Sequence, residues 1–199
     1  MVTGLIIEQE VLERDLTILR EMVNHLDEYL FRDVEHWDMG KQGMPPMTIG
    51  GCLMRLRRLS LLQDHLYESE RSKLAEVRDD FEAALAETVV RFEQRAYQEL
   101  SARLREWTNY LRNLSSSASI AGDREMYAGK VDTRIVVGEL VDKLGQHPYH
   151  LDGRVPRDVA AVDRRMRLMW EPGSFVLAPV WALAYPRETY WWLYGNPKS

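Results

Sequence analysis

The fold is decided by LAEVRDDFEAALAETVVRFEQRAYQELSARLREWTNYLRNL, residues 74–114. This stretch lies inside residues 52–121, a run of 70 residues without glycine or proline. Its apolar residues recur with a mean step of about 3.6, the period that keeps them on one face of a helix. The pattern predicts one nearly straight helix over 74–114. The apolar positions are Leu74, Val77, Phe81, Leu85, Val89, Phe92, Ala96, Leu100, Leu104, Trp107, Leu111 and Leu114.

Two further helices are predicted before this stretch. Steps of three and four from Leu12 to Trp37 predict a first helix over 7–37, which is strongly acidic outside its apolar positions. Four glycines and two prolines over 39–51 indicate a loop. A second helix is expected from Thr48, with a corner at 68–72, where no large apolar residue occurs before Leu74.

The rest of the chain, residues 115–199, contains shorter elements. The serine-rich stretch 115–119 indicates a connector, Asp123 is the expected cap of a fourth helix that closes at Leu144, and Pro156 opens a fifth. Prolines at 172, 179 and 186 forbid a long helix near the C-terminus, so residues 171–199 are predicted to form an extended, aromatic strap with one short helix over 186–194.

These elements predict an all-α fold: an elongated helical bundle built on a long helix, with a small helical cap and an irregular aromatic strap. We expect a single domain, with the bundle over 1–114, the cap over 123–170 and the strap over 171–199. Because the long apolar face needs a partner along its length, a homodimer is expected in preference to a monomer.

Composition narrows the class of protein. The net charge is −5 and the pI about 5.6, so the overall field does not favour nucleic acid or an anionic membrane. Cys52 is the single cysteine, which excludes an internal disulfide. We see neither a secretory signal nor an apolar run long enough for a membrane span, and therefore expect a cytoplasmic protein without membrane contact.

Metal and nucleophile candidates are few. Helical bundles hold metals between carboxylates and histidines, and the candidates here are His25, His36 and His65, although each histidine lies beside its helix's leucines. Cys52 follows two glycines at a predicted helix start, where the helix dipole and Arg55 would lower a thiol pKa; burial as ordinary packing is the competing interpretation. No cofactor is expected.

The candidate interaction surfaces are aromatic and basic. An exposed aromatic cluster marks an interface, whereas a buried one is a cover for the bundle. An arginine cluster on the fifth helix suits phosphates or an acidic protein face, and we rank charge pairing within or between subunits above nucleic acid. The candidate residues are Trp181, Tyr190, Trp191, Trp192, Tyr194, Arg164, Arg165 and Arg167.

No motif with catalytic spacing is present. The sequence therefore favours a non-catalytic cytoplasmic scaffold or adaptor that acts through protein contacts with an unidentified partner. One alternative is a small-molecule or metal-dependent helical enzyme using residues such as His25, His36, Trp37 and Tyr127. A nucleic-acid accessory protein that uses the fifth helix is the other.

Overall fold

The computed structural model describes the backbone of residues 2–32, 34, 36–116 and 124–198, and side chains over 8–32, 34, 36–114 and 125–198. The fold is 71% helical, with seven α-helices in the described residues and a small two-stranded sheet. The predicted class, largely all-α with an aromatic C-terminal strap, is confirmed. The helices are α1 (Val2–Asn24), α2 (Leu26–Phe31), α3 (Ile49–Leu61), α4 (Glu68–Glu87), α5 (Val89–Ser116), α6 (Arg124–Leu144) and α7 (Val155–Leu168).

The first helix is shorter than predicted at its C-terminal end. It is interrupted at His25 and its continuation, α2, stops at Phe31, after which Arg32 is extended. Trp37, the predicted last helical residue, instead forms an antiparallel bridge with Met47 that closes the glycine-containing loop. The second helix begins where predicted, because the Thr48 side chain accepts a hydrogen bond from the Gly51 amide.

The long helix over 74–114 is wrong as a single element, because it breaks at Thr88 between α4 and α5. Thr88 has φ −125° and ψ 29°, and its hydroxyl donates to the Ala84 carbonyl at 2.6 Å. Three consecutive β-branched residues, Thr88 to Val90, lower the helix propensity here because their χ1 angles are restricted in a helix. The apolar pattern continues in phase across the break, which is why periodicity did not reveal it.

The predicted corner at 68–72 lies a few residues too late. The chain turns at Gln63–His65, a single 3₁₀ turn, and α4 has already begun at Glu68. The Glu70 carboxylate accepts a hydrogen bond from the Tyr67 amide at 2.9 Å and so fixes the start of α4.

The described chain divides into two compact units, Met1–Glu99 and Leu100–Ser199, with the boundary inside α5. In the first unit α1, α3 and α4 pack against one another. Apolar positions of the long stretch are buried on both sides of the boundary, among them Phe81, Phe92 and Trp107. That face is therefore largely covered within one chain, and it supplies no argument for a second copy.

The second unit combines α6, α7 and the C-terminal strap. Two antiparallel strands, β1 (Trp170–Phe175) and β2 (Tyr194–Pro197), pair with an irregularity between Pro172 and Phe175. The predicted short helix over 186–194 is wrong. In its place the structure has a single 3₁₀ turn at Trp191–Leu193, and Tyr194 already belongs to β2. The Asp123 cap and the end of the serine-rich stretch, 117–119, lie outside the described residues.

Candidate interaction surface

Helix α7 turns most of its residues toward solvent. Pro156 occupies its first turn, as predicted, and Met166 is its only buried residue. One face of the helix is exposed along its whole length, and we call it the arginine stripe. The stripe consists of Arg157, Ala161, Arg164, Arg165 and Leu168. Leu168 is 77% exposed and adds an apolar side chain to one end of this face.

The side of α7 opposite the arginine stripe is held by a polar contact from α6. Arg134 on α6 donates from Nε and Nη2 to the Asp163 carboxylate, at 2.8 and 2.7 Å. The same guanidinium lies 4.1 Å from the centroid of the Trp192 ring. Arg134 is buried and Asp163 is half-buried, so this bidentate pair is partly shielded from water, and it joins α6, α7 and the strap at one point.

The strap is largely a cover. Trp181, Tyr190 and Trp192 are buried, at 5%, 6% and 5% exposure. The Tyr127 hydroxyl donates to the Trp192 carbonyl from the interior, and burial raises the pKa of Tyr127. These three aromatic residues therefore present little surface to a partner, although the sequence placed them among the interaction residues.

Trp191 and Tyr194 are half-buried, and each is covered on one side by an arginine. Arg167 lies 3.9 Å from the Trp191 ring centroid, and Arg187 lies 5.6 Å from that of Tyr194. Trp170 meets Trp191 edge to face at 5.1 Å. Of the predicted interaction residues, the structure places Arg164, Arg165 and Arg167 at the surface and packs the aromatic ones mainly inward.

The two units differ in charge. Residues 1–99 contain 12 Lys and Arg against 20 Asp and Glu, whereas residues 100–199 contain 14 against 11. Within the described residues no acidic side chain forms an ion pair with Arg164 or Arg165. The arginine stripe is therefore a positive surface with its charge available to a partner.

The three histidines are not brought together as a ligand set. His25 Nε2 lies 3.1 Å from Glu21 Oε1, and Lys41 Nζ lies 2.6 Å from the other oxygen of the same carboxylate, which lowers the pKa of Glu21. His36 and His65 are exposed on separate segments. Among the residues described, no group of three or more His, Cys, Asp or Glu side chains could hold a metal ion.

Cys52 is buried under the start of α3. Burial raises the pKa of its thiol to about 12, in spite of the nearby Arg55 guanidinium. The dipole at this helix end acts on Glu99, whose carboxylate accepts a hydrogen bond from the Gly50 amide at 2.9 Å. The geometry fits ordinary packing and disfavours a reactive thiolate.

Two open clefts lie in the first unit, with volumes of about 510 and 280 Å³. Glu13 lines both, and the smaller one also exposes Arg20 and Lys73. Partial desolvation and a hydrogen bond to Glu70 raise the pKa of Glu13. A carboxyl pair of this kind can share a proton.

The chain matches no protein-family model, no curated protein and no solved structure. None of the helices in the described part of the chain combines the length and apolar character that crossing a membrane requires.

Proposed function

We propose that this chain is a non-catalytic adaptor, and that the arginine stripe of α7 is the surface with which it binds an acidic protein face. The supporting observation is the contrast between the two sides of α7. One side is held by the half-buried pair of Arg134 and Asp163, whereas the other exposes three arginines and Leu168. A helix presented in this way offers a preformed docking surface.

The composition of the stripe favours a protein over nucleic acid. Its arginines flank the small Ala161 and end at the exposed Leu168, so that charge and apolar contact area alternate along one face. Arginine is also enriched at protein interfaces, where its planar head pairs with carboxylates in two-pronged fashion. A polyanion would in addition meet a chain whose net charge is −5.

A site-specific photo-crosslinker tests this proposal in the source cell. The reactive group is introduced at Ala161, in the middle of the stripe, and at Ser101 on α5 as an equally exposed control. We expect a discrete protein adduct from position 161 that is absent from position 101. The adduct should also disappear when Arg164→Glu and Arg165→Glu are combined with the crosslinker.

The same adducts from both positions, or none from position 161, would overturn the proposal. A nuclease-sensitive adduct would overturn it in favour of the nucleic-acid interpretation. Purification of the adduct's second component and titration with the unmodified chain then give the affinity, which should fall with salt because exposed ion pairs are screened.

A further inference from the structure

A second exposed stripe, opposite in charge, runs along α4. It comprises Glu76, Asp79, Asp80, Ala83 and Glu87, all exposed, and we call it the acidic stripe. Asp79 lies 3.7 Å from the Nε of Arg78, a contact in which both side chains are more than half exposed. The acidic stripe is thus a solvated negative face of a helix in the first unit.

The two stripes have the same spacing when one of them is read backwards. From Glu76, the other members of the acidic stripe follow at 3, 4, 7 and 11 residues. From Leu168 toward the N-terminus, the other members of the arginine stripe also follow at 3, 4, 7 and 11 residues. Each stripe spans about 16 Å at 1.5 Å per residue.

An antiparallel pairing of the two stripes therefore matches them position by position. Asp79 faces Arg165, Asp80 faces Arg164, and Glu87 faces Arg157. Ala83 faces Ala161 between these pairs, so that the two helices can approach closely where the side chains are smallest. Glu76 faces Leu168, the one position without a charge pair.

We propose that a second copy of this chain binds through these surfaces, its acidic stripe antiparallel to the arginine stripe of the first. This inference rests on the proposed function of α7 as a docking surface. Each copy carries both stripes, so that either copy can supply either side of the contact. At physiological salt the Debye length is about 8 Å, shorter than either stripe, and local complementarity outweighs the repulsion between two chains of negative net charge.

Sedimentation of the full chain over a range of concentrations tests the proposal. At about 50 mM salt we expect a two-chain species whose share grows with protein concentration. At about 500 mM salt the association constant should be at least about tenfold lower, because salt screens exposed ion pairs. The variant Arg164→Glu with Arg165→Glu should weaken self-association by a further tenfold or more, roughly, at low salt. The variant Asp79→Arg with Asp80→Arg should do the same.

Charge exchange separates this contact from a general effect of charge. A mixture of the two double variants should associate, because the first variant keeps its acidic stripe and the second keeps its arginine stripe, so that the original contact can form between them. The quadruple variant, with both stripes reversed in one chain, should recover self-association. The control Arg105→Glu with Arg187→Glu changes the net charge equally at exposed positions outside the stripe and should leave association unchanged.

A chain that stays single at low salt, or failure of both the mixture and the quadruple variant to associate, would overturn this inference. The proposed function would survive that result if the crosslinker at Ala161 still captured a different acidic protein. Loss of crosslinking at Ala161 while sedimentation still showed an unaltered pair would instead overturn both, since the pair would then form elsewhere.

Discussion

The Asp15 carboxylate on α1 and the Arg58 guanidinium on α3 form a bidentate ion pair in the interior of the first unit. Arg58 Nε lies 2.6 Å from Asp15 Oδ2, and Nη2 bonds the other oxygen. Arg55 adds a contact of 3.2 Å from its Nε to the same carboxylate. All three side chains are buried, so these opposite charges meet away from water between two helices.

Asp15→Asn removes that charge while keeping the shape of the side chain. We expect a loss of about 3–5 kcal/mol in the free energy of unfolding, because two buried guanidinium groups lose a buried counter-charge. Urea unfolding followed by circular dichroism measures it. Asp27→Asn is the control, since Asp27 is exposed on α2 and should change stability by less than about 0.5 kcal/mol. Equal losses in the two variants would show that the buried ion pair contributes no more to the free energy of unfolding than an exposed carboxylate does.

The ion pair also shows what the sequence could not predict. The apolar period correctly predicted a helix around Asp15, yet it left this residue among the acids that face outward. Its partner is 43 residues away in sequence, and the pairing depends on how α1 packs against α3. A signal was nevertheless present, because Asp15 directly precedes Leu16 and lies three residues after Leu12, beside the buried side of the helix.

The sequence predicted a helix boundary correctly where the residue at that boundary itself favours the start of a helix. Thr48 and Pro156 mark helix starts by residue types that favour those positions in any helix. The break at Thr88 leaves the apolar period intact, and the pairing of β1 with β2 joins segments about 25 residues apart. The pairing of Asp163 with Arg134 was equally hidden, because it joins two helices through side chains 29 residues apart in sequence.

Asp163→Asn should loosen α7 without unfolding the unit. Arg134 would retain its place against Trp192 but lose a charged partner, at a cost of about 2 kcal/mol for a partly exposed carboxylate. Met166 alone does not hold the helix, so hydrogen exchange of the α7 amides should accelerate by at least tenfold, roughly, while the α6 amides change little. Exchange is read by mass spectrometry of peptides from the two helices.

Asp158→Asn is the matched control for that experiment. Asp158 lies on the first turn of α7, is exposed, and should contribute less than about 1 kcal/mol through the helix dipole. If both variants accelerated exchange in α7 equally, the pair of Arg134 and Asp163 would not be what fixes the helix.

Gly195→Ala should open the small sheet. Gly195 pairs with Pro172, and a Cβ atom there would lie inside contact distance of the Glu171 carbonyl oxygen and the Trp170 indole. Backbone on one side and a packed ring on the other leave little room to adjust, so we expect a loss of about 1–3 kcal/mol. Tryptophan fluorescence should shift to longer wavelength as Trp170 meets water.

Gly129→Ala makes the same chemical change in a helix. Gly129 lies on the exposed side of α6, where an added Cβ atom would meet nothing within 4 Å, and alanine should stabilise the helix by about 0.5–1 kcal/mol. Opposite signs for the two substitutions are therefore expected in thermal unfolding, and a neutral Gly195→Ala would contradict the close approach of the two strands.

Glu13 and Glu70 give the first unit a pH dependence of known sign. The folded-state pKa of Glu13 is raised above its usual value of 4.5 by partial desolvation and by its hydrogen bond to Glu70. Glu70 is itself held by Gln9 Nε2 at 2.6 Å and by the Tyr67 amide. A raised carboxyl pKa means that the protonated form favours the folded state. The stabilisation is present in full below the unfolded pKa and is lost as pH rises through the folded pKa.

Glu13→Gln should therefore raise the urea midpoint at neutral pH and remove this share of the pH dependence, because the amide donates to Glu70 at every pH. Urea midpoints of the variant and of the parent chain are measured from about pH 4 to about pH 7. The difference between the two plots of midpoint against pH reports the contribution of Glu13. Glu10→Gln removes an equal charge from the same helix, yet Glu10 is the weakest of the influences on Glu13. For Glu10→Gln, the plot of urea midpoint against pH should run nearly parallel to that of the parent chain. If the plot for Glu13→Gln also ran parallel, the raised pKa of Glu13 and its hydrogen bond to Glu70 would be refuted.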